Sequence, residues 1–167
     1  MIIMHMRMQK GLLLTVRQFR DVCRGANLAV GRHWQRFMLK RHFDPDARSR
    51  YHYQVRTEKY MKAKKNSGHG TVDLVYSGRS REYLQSTSAV RAFPTRVTIT
   101  MIGPQYFRPM PGVGKKKMPD LQAELLAVTD DEREELIRVF EESYKQLYEA
   151  AQNEFLGSMA SSYKHAY

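Results

Sequence analysis

Cysteine occurs once in this chain, as Cys23, so no internal disulfide forms, and such usage fits folding in a reducing compartment. Long apolar runs are missing too. No stretch approaches the roughly eighteen residues that cross a bilayer, and Leu12 to Leu14 is the longest aliphatic run near the start. Met1, Met4, Met6 and Met8 are separated by His5 and Arg7, which denies the opening segment the uninterrupted apolar core of a secretory signal. The expectation is a protein made in the cytoplasm, neither exported nor partnered with a membrane.

Acidic residues are scarce where basic ones are dense. Through Met118 the chain has 24 Lys and Arg against 6 Asp and Glu, a balance of +18; from Pro119 onward it has 4 against 11, a balance of −7. Opposite signs in one chain fit a nucleic-acid face with a solvated tail, or contact between copies in which basic and acidic surfaces meet. The plainer alternative is that exposed helices are merely charged.

Patterns that carry chemistry are also lacking. Pro111-Gly-Val-Gly-Lys115 resembles a phosphate loop, but the required earlier glycine is Pro109 and the Ser or Thr after the lysine is Lys116. The six histidines, His5, His33, His42, His52, His69 and His165, fall at no metal-ligand spacing, and Cys23 has no companion thiol. Cys23 sits on an apolar stripe, so a buried inert thiol is expected rather than a nucleophile activated by His33 or His42. Asp44 and Asp46 flank Pro45 and read as a turn or helix start before a cation site. No catalytic residue, metal or cofactor is assigned, and the chain is expected not to be an enzyme.

What is present suffices for one folded domain: 167 residues, 42% hydrophobic and 27% charged. Thr15-Val-Arg-Gln18 has the form of a capping box. Behind it Phe19, Val22, Cys23, Ala26, Val30, Trp34, Phe37 and Met38 recur at steps of three and four, predicting one amphipathic helix to about His42, where Asp44-Pro45 stops it. Thr129-Asp-Asp-Glu132 is a second capping box. Leu136, Ile137, Phe140, Tyr144, Leu147, Tyr148, Ala151 and Phe155 then form a second stripe, with Glu134, Glu135, Glu141, Glu142 and Glu149 outside it.

Between the helices, Val72 to Tyr76 reads as a strand, Ser77-Gly78 as a turn and Arg79 to Gln85 as a short helix or turn. Ala89 to Phe93 and Arg96 to Ile102, broken by Pro94, alternate like an antiparallel strand pair. Gly103 to Pro119, with four prolines and three glycines, reads as a loop, and Leu121 to Val128 fits strand or helix equally. The class is α+β, a small antiparallel sheet flanked by two long amphipathic helices. Residues 1–14 form an N-terminal arm or strand, 15–156 a single domain and 157–167 a mobile tail.

Tyr51, Tyr53 and Tyr60 interleave with Arg50, Arg56, Lys59, Lys62, Lys64 and Lys65. Rings among cations are what single-strand binding uses, although tyrosines in a basic turn equally bury their rings and expose their hydroxyls. Direct readout of sequence has no recognisable module here.

The order of these features resembles the tailed-bacteriophage morphogenesis proteins that complete the tail or join it to the head. The likeness rests on Trp34-Gln-Arg-Phe37 and Lys40-Arg-His-Phe43 at the end of the first helix, on the Arg50-Tyr-His-Tyr53, Arg56 and Tyr60 block, and on Leu74-Val-Tyr-Ser-Gly78-Arg-Ser-Arg81. Pro104-Gln-Tyr106 before a proline-rich loop and an acidic start to the last helix continue it, from about Thr15 to Phe155. The chain departs from the family pattern at Ser80, where an aliphatic residue is usual, and in its longer C-terminal helix.

The resemblance implies a structural virion protein at the neck or tail end, made in the host bacterial cytoplasm. Copies would form a ring, a hexamer first and a dodecamer as the alternative, between the portal or connector and the tail proteins. Lys62, Lys64, Lys65, Lys115, Lys116 and Lys117 would face the DNA channel, touching genomic DNA without sequence preference, or an acidic neighbour. Tyr106, Phe107 and Met110, on the long loop, would reach the adjacent copy or fold back over their own sheet. The alternative function is a non-enzymatic nucleic-acid-binding protein using the basic N-terminal two-thirds.

Overall fold

The computed structural model describes residues 14–68, 72, 79–101 and 121–164. Helix α1, Val16–His33, starts by the capping chemistry its sequence predicts: the Gln18 N–H donates to Thr15 Oγ1 at 3.2 Å, and the Thr15 N–H donates to Gln18 Oε1 at 3.0 Å. It continues as a π-helical turn, Trp34–Met38, and the short α2, Leu39–Arg41. Val22, Cys23, Ala26, Val30, Trp34 and Met38 are buried, as the stripe requires. Phe37 is a correction. The wider π turn shifts the register by part of a residue, and Phe37 ends 46% exposed with the Arg36 guanidinium 5.3 Å from its ring centre.

Past Pro45, α3 spans Ala47–Tyr51 and closes on His52, whose φ of 53° lies in the left-handed region. Helix α4, Glu58–Asn66, is capped by Thr57, whose Oγ1 accepts from the Tyr60 N–H at 3.3 Å. Helix α5 spans Arg79–Thr87. Strands β1, Ala89–Phe93, and β2, Arg96–Thr100, form a two-stranded antiparallel hairpin turning at Pro94-Thr95, with alternate residues exposed on its outer face. Helix α6, Leu121–Leu125, resolves a segment whose sequence fits either element. Of the expected strand near Val72 only that residue is described, and the Ser77-Gly78 turn and the Gly103 to Pro119 loop lie outside the described residues.

Helix α7, Asp130–Lys164, starts at the second capping box, with the Glu132 N–H donating to Thr129 Oγ1 at 3.2 Å and the Thr129 N–H donating to Glu132 Oε2 at 3.3 Å. It runs through Gly157 to Lys164, part of the stretch read as a tail. One glycine costs a helix about 1 kcal/mol relative to alanine, too little to stop a helix already propagating, and no proline follows it. The class is α+β, mostly helical, with the small antiparallel sheet expected.

Contacts divide the chain into two compact units, neither a continuous stretch of sequence. One takes its described residues from Met1–His33, Val90–Ile99 and Glu134–Tyr167; the other from Trp34–Ala89 and Thr100–Arg133. In the first unit α1 packs on the hairpin and on α7. Asn27, buried, donates from Nδ2 to the carbonyls of Phe93 at 2.8 Å and Pro94 at 3.2 Å, satisfying the hairpin turn. Phe19 meets Tyr144 edge to face at 6.4 Å between ring centres, and His33 Nε2 lies 2.7 Å from Glu135 Oε1. Along α7, Leu136 and Phe140 are buried, whereas Ile137 and Leu147, read as part of the inner stripe, lie 42% and 39% exposed at its margin. The second unit buries Trp34, Met38, Leu39, Phe43, Ala47, Tyr51, Tyr53, Leu84 and Leu125.

Two glycines of α1 make a matched test. A Cβ on Gly31 would lie 2.4 Å from Val90 Cγ1 and 2.7 Å from Val97 Cγ2, both on β-branched side chains that cannot rotate away. On Gly25 it would meet Leu147 Cδ1 at 2.6 Å, the mobile end of a half-exposed side chain. Gly31→Ala is therefore expected to lower stability by about 1 to 3 kcal/mol, and Gly25→Ala to leave it unchanged or raise it by up to about 1 kcal/mol, as read by urea denaturation.

Candidate functional site

Helix α4 carries Lys59, Tyr60, Lys62, Lys64 and Lys65 of the basic and aromatic block that the sequence singled out. Lys59, Lys62 and Lys65 recur every third residue and are exposed, beside Tyr60 at 42% exposure. Lys64 is a correction as a DNA or partner contact: it is 1% exposed, and its ammonium donates to the Val72 carbonyl. Its place on α4 turns it to the opposite side from Lys62, and the buried charge is tied to a backbone acceptor. Lys115, Lys116 and Lys117, and with them Tyr106, Phe107 and Met110, lie outside the described residues.

Two of the three tyrosines in the basic block are core residues. Tyr51 and Tyr53 are buried and stack with His42, the Tyr51 and His42 ring centres 4.0 Å apart and the two tyrosine rings 5.6 Å apart. His42 Nδ1 lies 2.5 Å from the Tyr53 hydroxyl, and its Nε2 is buried without a hydrogen-bond partner among the described residues. Burial, followed by the nearby Arg50, pulls the His42 pKa down from 6.5 to about 4, so the ring is neutral at physiological pH. Rings so enclosed do not stack on bases; the structural side of the tyrosine reading holds for the rings of these two, but their hydroxyls are buried against Glu132 and His42 rather than exposed.

The Tyr51 hydroxyl donates to Glu132 Oε1 at 2.6 Å, and Arg41 Nη1 approaches the same oxygen at 3.4 Å. Burial first, then this contact, raises the Tyr51 pKa well above the ordinary phenol value. Glu132 thereby braces one wall of a cleft of about 670 Å³, lined by Arg41, Arg50, Tyr51, His52 and residues 127–132. Its oxygens are already engaged, so its part there is structural. Nearby in the same unit, Arg56 and Glu124 form a buried two-pronged pair at 3.0 and 2.5 Å, and Glu124 Oε1 also accepts the Gln54 N–H at 3.0 Å.

The first unit shows charge that its own contacts leave unneutralised. On α1, Arg17, Arg20, Arg24 and Arg32 are exposed, and among the described residues only Arg24 has an acidic partner, Asp21 at 3.3 Å. On the outer face of the hairpin Arg91 and Arg96 are exposed, Arg96 lying 5.1 Å over the Phe93 ring. On α7, Glu134, Glu141, Glu142, Glu149 and Glu154 are exposed without an ion pair among the described residues. Cys23 is 1% exposed and burial raises its pKa, which keeps it a protonated, inert thiol.

Sequence reasoning missed the arginines of the hairpin and the carboxylate Glu124, and read Glu132 only as half of a capping box. A strand alternation marks Arg91 and Arg96 as outward, but only the fold brings them beside α1. Among the described residues no three His, Cys, Asp or Glu side chains cluster as metal ligands, and no helix is long and apolar enough to cross a membrane. Comparison with protein-family models, with curated proteins and with solved structures found no match.

His42 sets a pH dependence. The unfolded chain takes up its proton below about pH 6.5 while the folded chain refuses it until about pH 4, so stability is flat above that window and falls through it, by about 3 kcal/mol in all. His42→Gln is expected to remove that fall from a series of denaturation curves taken between pH 7 and pH 4. Breaking the buried pair with Arg56→Ala is expected to cost about 3 to 5 kcal/mol, and replacing both partners, Arg56→Met with Glu124→Leu, much less, by the same measurement.

Proposed function

We propose that this chain is a structural assembly protein of a tailed-bacteriophage virion, acting in the neck or tail end, where copies form a ring that joins the portal or connector to the tail. The observation that carries this reading is the row of carboxylates on α7 without ion pairs among the described residues, Glu134, Glu141, Glu142 and Glu149, in a chain that also exposes a row of lysines on α4, Lys59, Lys62 and Lys65. Arg138 and Lys145 stand among these glutamates and Glu58 one turn before Lys62, but neither row forms an ion pair among the described residues, and each suits the other on a neighbouring copy.

Exposed apolar side chains lie on the same helices: Ile137 beside the glutamates of α7, and Tyr60 on α4. A contact between copies that buries them adds apolar area to charge complementarity, the usual combination of interface centre and rim. Repeated head to tail, such a contact closes into a ring when the rotation between copies allows it. The resemblance of Trp34 to Phe43, Arg50 to Tyr60 and Leu74 to Arg81 to head–tail joining proteins supplies the place of that ring in a virion.

The purified chain is expected to form a ring visible in two-dimensional averages, alone or when mixed with portal and tail proteins. Glu141→Lys with Glu142→Lys and Glu149→Lys should return it to monomer by light scattering, and adding Lys59→Glu, Lys62→Glu and Lys65→Glu should restore assembly. A chain that stays monomeric at every concentration and ignores both classes of partner counts against the reading.

A further inference from the structure

The hairpin and α1 together build a basic surface that the assembly reading does not use. Gly31 packs against Val90 and Val97 in mid-strand, while Asn27, one turn earlier on α1, holds the carbonyls of Phe93 and Pro94 at the turn. From Gly31 to Asn27 the helix rises about 6 Å, whereas from Val90 to Phe93 a strand advances about 10 Å. The hairpin thus runs toward the start of α1 with its tip at Asn27, and Arg24 and Arg20 stand three and seven residues earlier on the same side of the helix. Arg96 follows the turn directly, and Arg91 shares the outer face of the hairpin. Asp21, paired with Arg24, is the acidic residue beside them on α1.

We infer that Arg20, Arg24, Arg91 and Arg96 form a binding surface for the phosphate backbone of duplex DNA. Arginine guanidinium groups are planar and engage phosphate oxygens in pairs, and four of them on a rigid helix and ribbon hold fixed positions against a repeating polyanion. Single-strand binding is disfavoured because the one aromatic side chain of the patch, Phe93, lies beneath Arg96 and offers no free platform for bases. An acidic protein partner is disfavoured because the patch lacks the apolar centre that anchors protein interfaces. Backbone contact of this kind fixes position without reading sequence.

The inference stands apart from the ring, since a monomer or an oligomer can carry the surface, and its test reads DNA rather than assembly. Fluorescence anisotropy with two unrelated duplexes, over a salt series, should give equal affinities and a steep loss with salt, each phosphate contact adding about −0.9 to the slope of log affinity against log salt. Arg20→Gln, Arg24→Gln, Arg91→Gln and Arg96→Gln should each weaken binding about tenfold at 50 mM salt and make the slope shallower by about 0.9. Circular dichroism checks that each exposed-site variant stays folded, and Lys62→Gln with Lys65→Gln should leave this component of the slope in place. Absence of duplex binding at 50 mM salt overturns the inference. So does an unchanged slope in the fourfold arginine variant, or retention of a polyglutamate peptide in place of the duplex.

Discussion

A carboxylate taken almost wholly out of water, Glu132 at 3% exposure, organises the second unit. One of its oxygens closes the capping box of α7, and the other takes the Tyr51 hydroxyl and faces the Arg41 guanidinium. A buried carboxylate is tolerated only where donors surround it, so this side chain forces the end of the first helical run, α3 and the start of α7 into a single arrangement. The aromatic stack follows from it: Tyr51, held by Glu132, lies flat on His42, and Tyr53 completes the pile. Arg56 and Glu124 repeat the principle on a smaller scale, pinning the extended segment after Tyr53 to α6.

Charge is treated in two ways in this molecule. Inside, it is matched: Glu132 to Arg41 and Tyr51, Glu124 to Arg56, and the Lys64 ammonium to a carbonyl. Outside it is left open, as arginines on α1 and the hairpin, lysines on α4 and glutamates on α7. Exposed ion pairs contribute little to stability, so nothing in folding requires these rows to be neutralised within the chain. Their potentials act over about a Debye length and bear on what approaches the surface. That separation between matched interior and unmatched exterior is what makes assembly and polyanion binding the functions to test.

Local signals were legible wherever the physics is local. Thr15 with Gln18 and Thr129 with Glu132 start helices because the bonds they make span three residues, and Pro45 ends one because its ring removes a donor and blocks the preceding turn. The alternation around Pro94 is a strand pair for the same reason. Phe37 was misplaced by periodicity, and Lys64 by its membership of a basic block. A π turn that includes Phe37 changes the angle per residue there, and whether a lysine points in or out depends on an acceptor eight residues away at Val72.

The site residues divide along the same line. That the front of the chain is basic, the last helix acidic, and that two amphipathic helices accompany a hairpin are properties of composition and spacing, readable without coordinates. Which of those charges meet was decided by tertiary structure alone. Glu132 finds Tyr51 across 81 positions and Asn27 finds the hairpin turn across 66. Pairings at that separation leave no periodic mark in sequence, because they depend on where whole elements pack. For the same reason four arginines scattered from position 20 to position 96 become one surface only once the chain has folded.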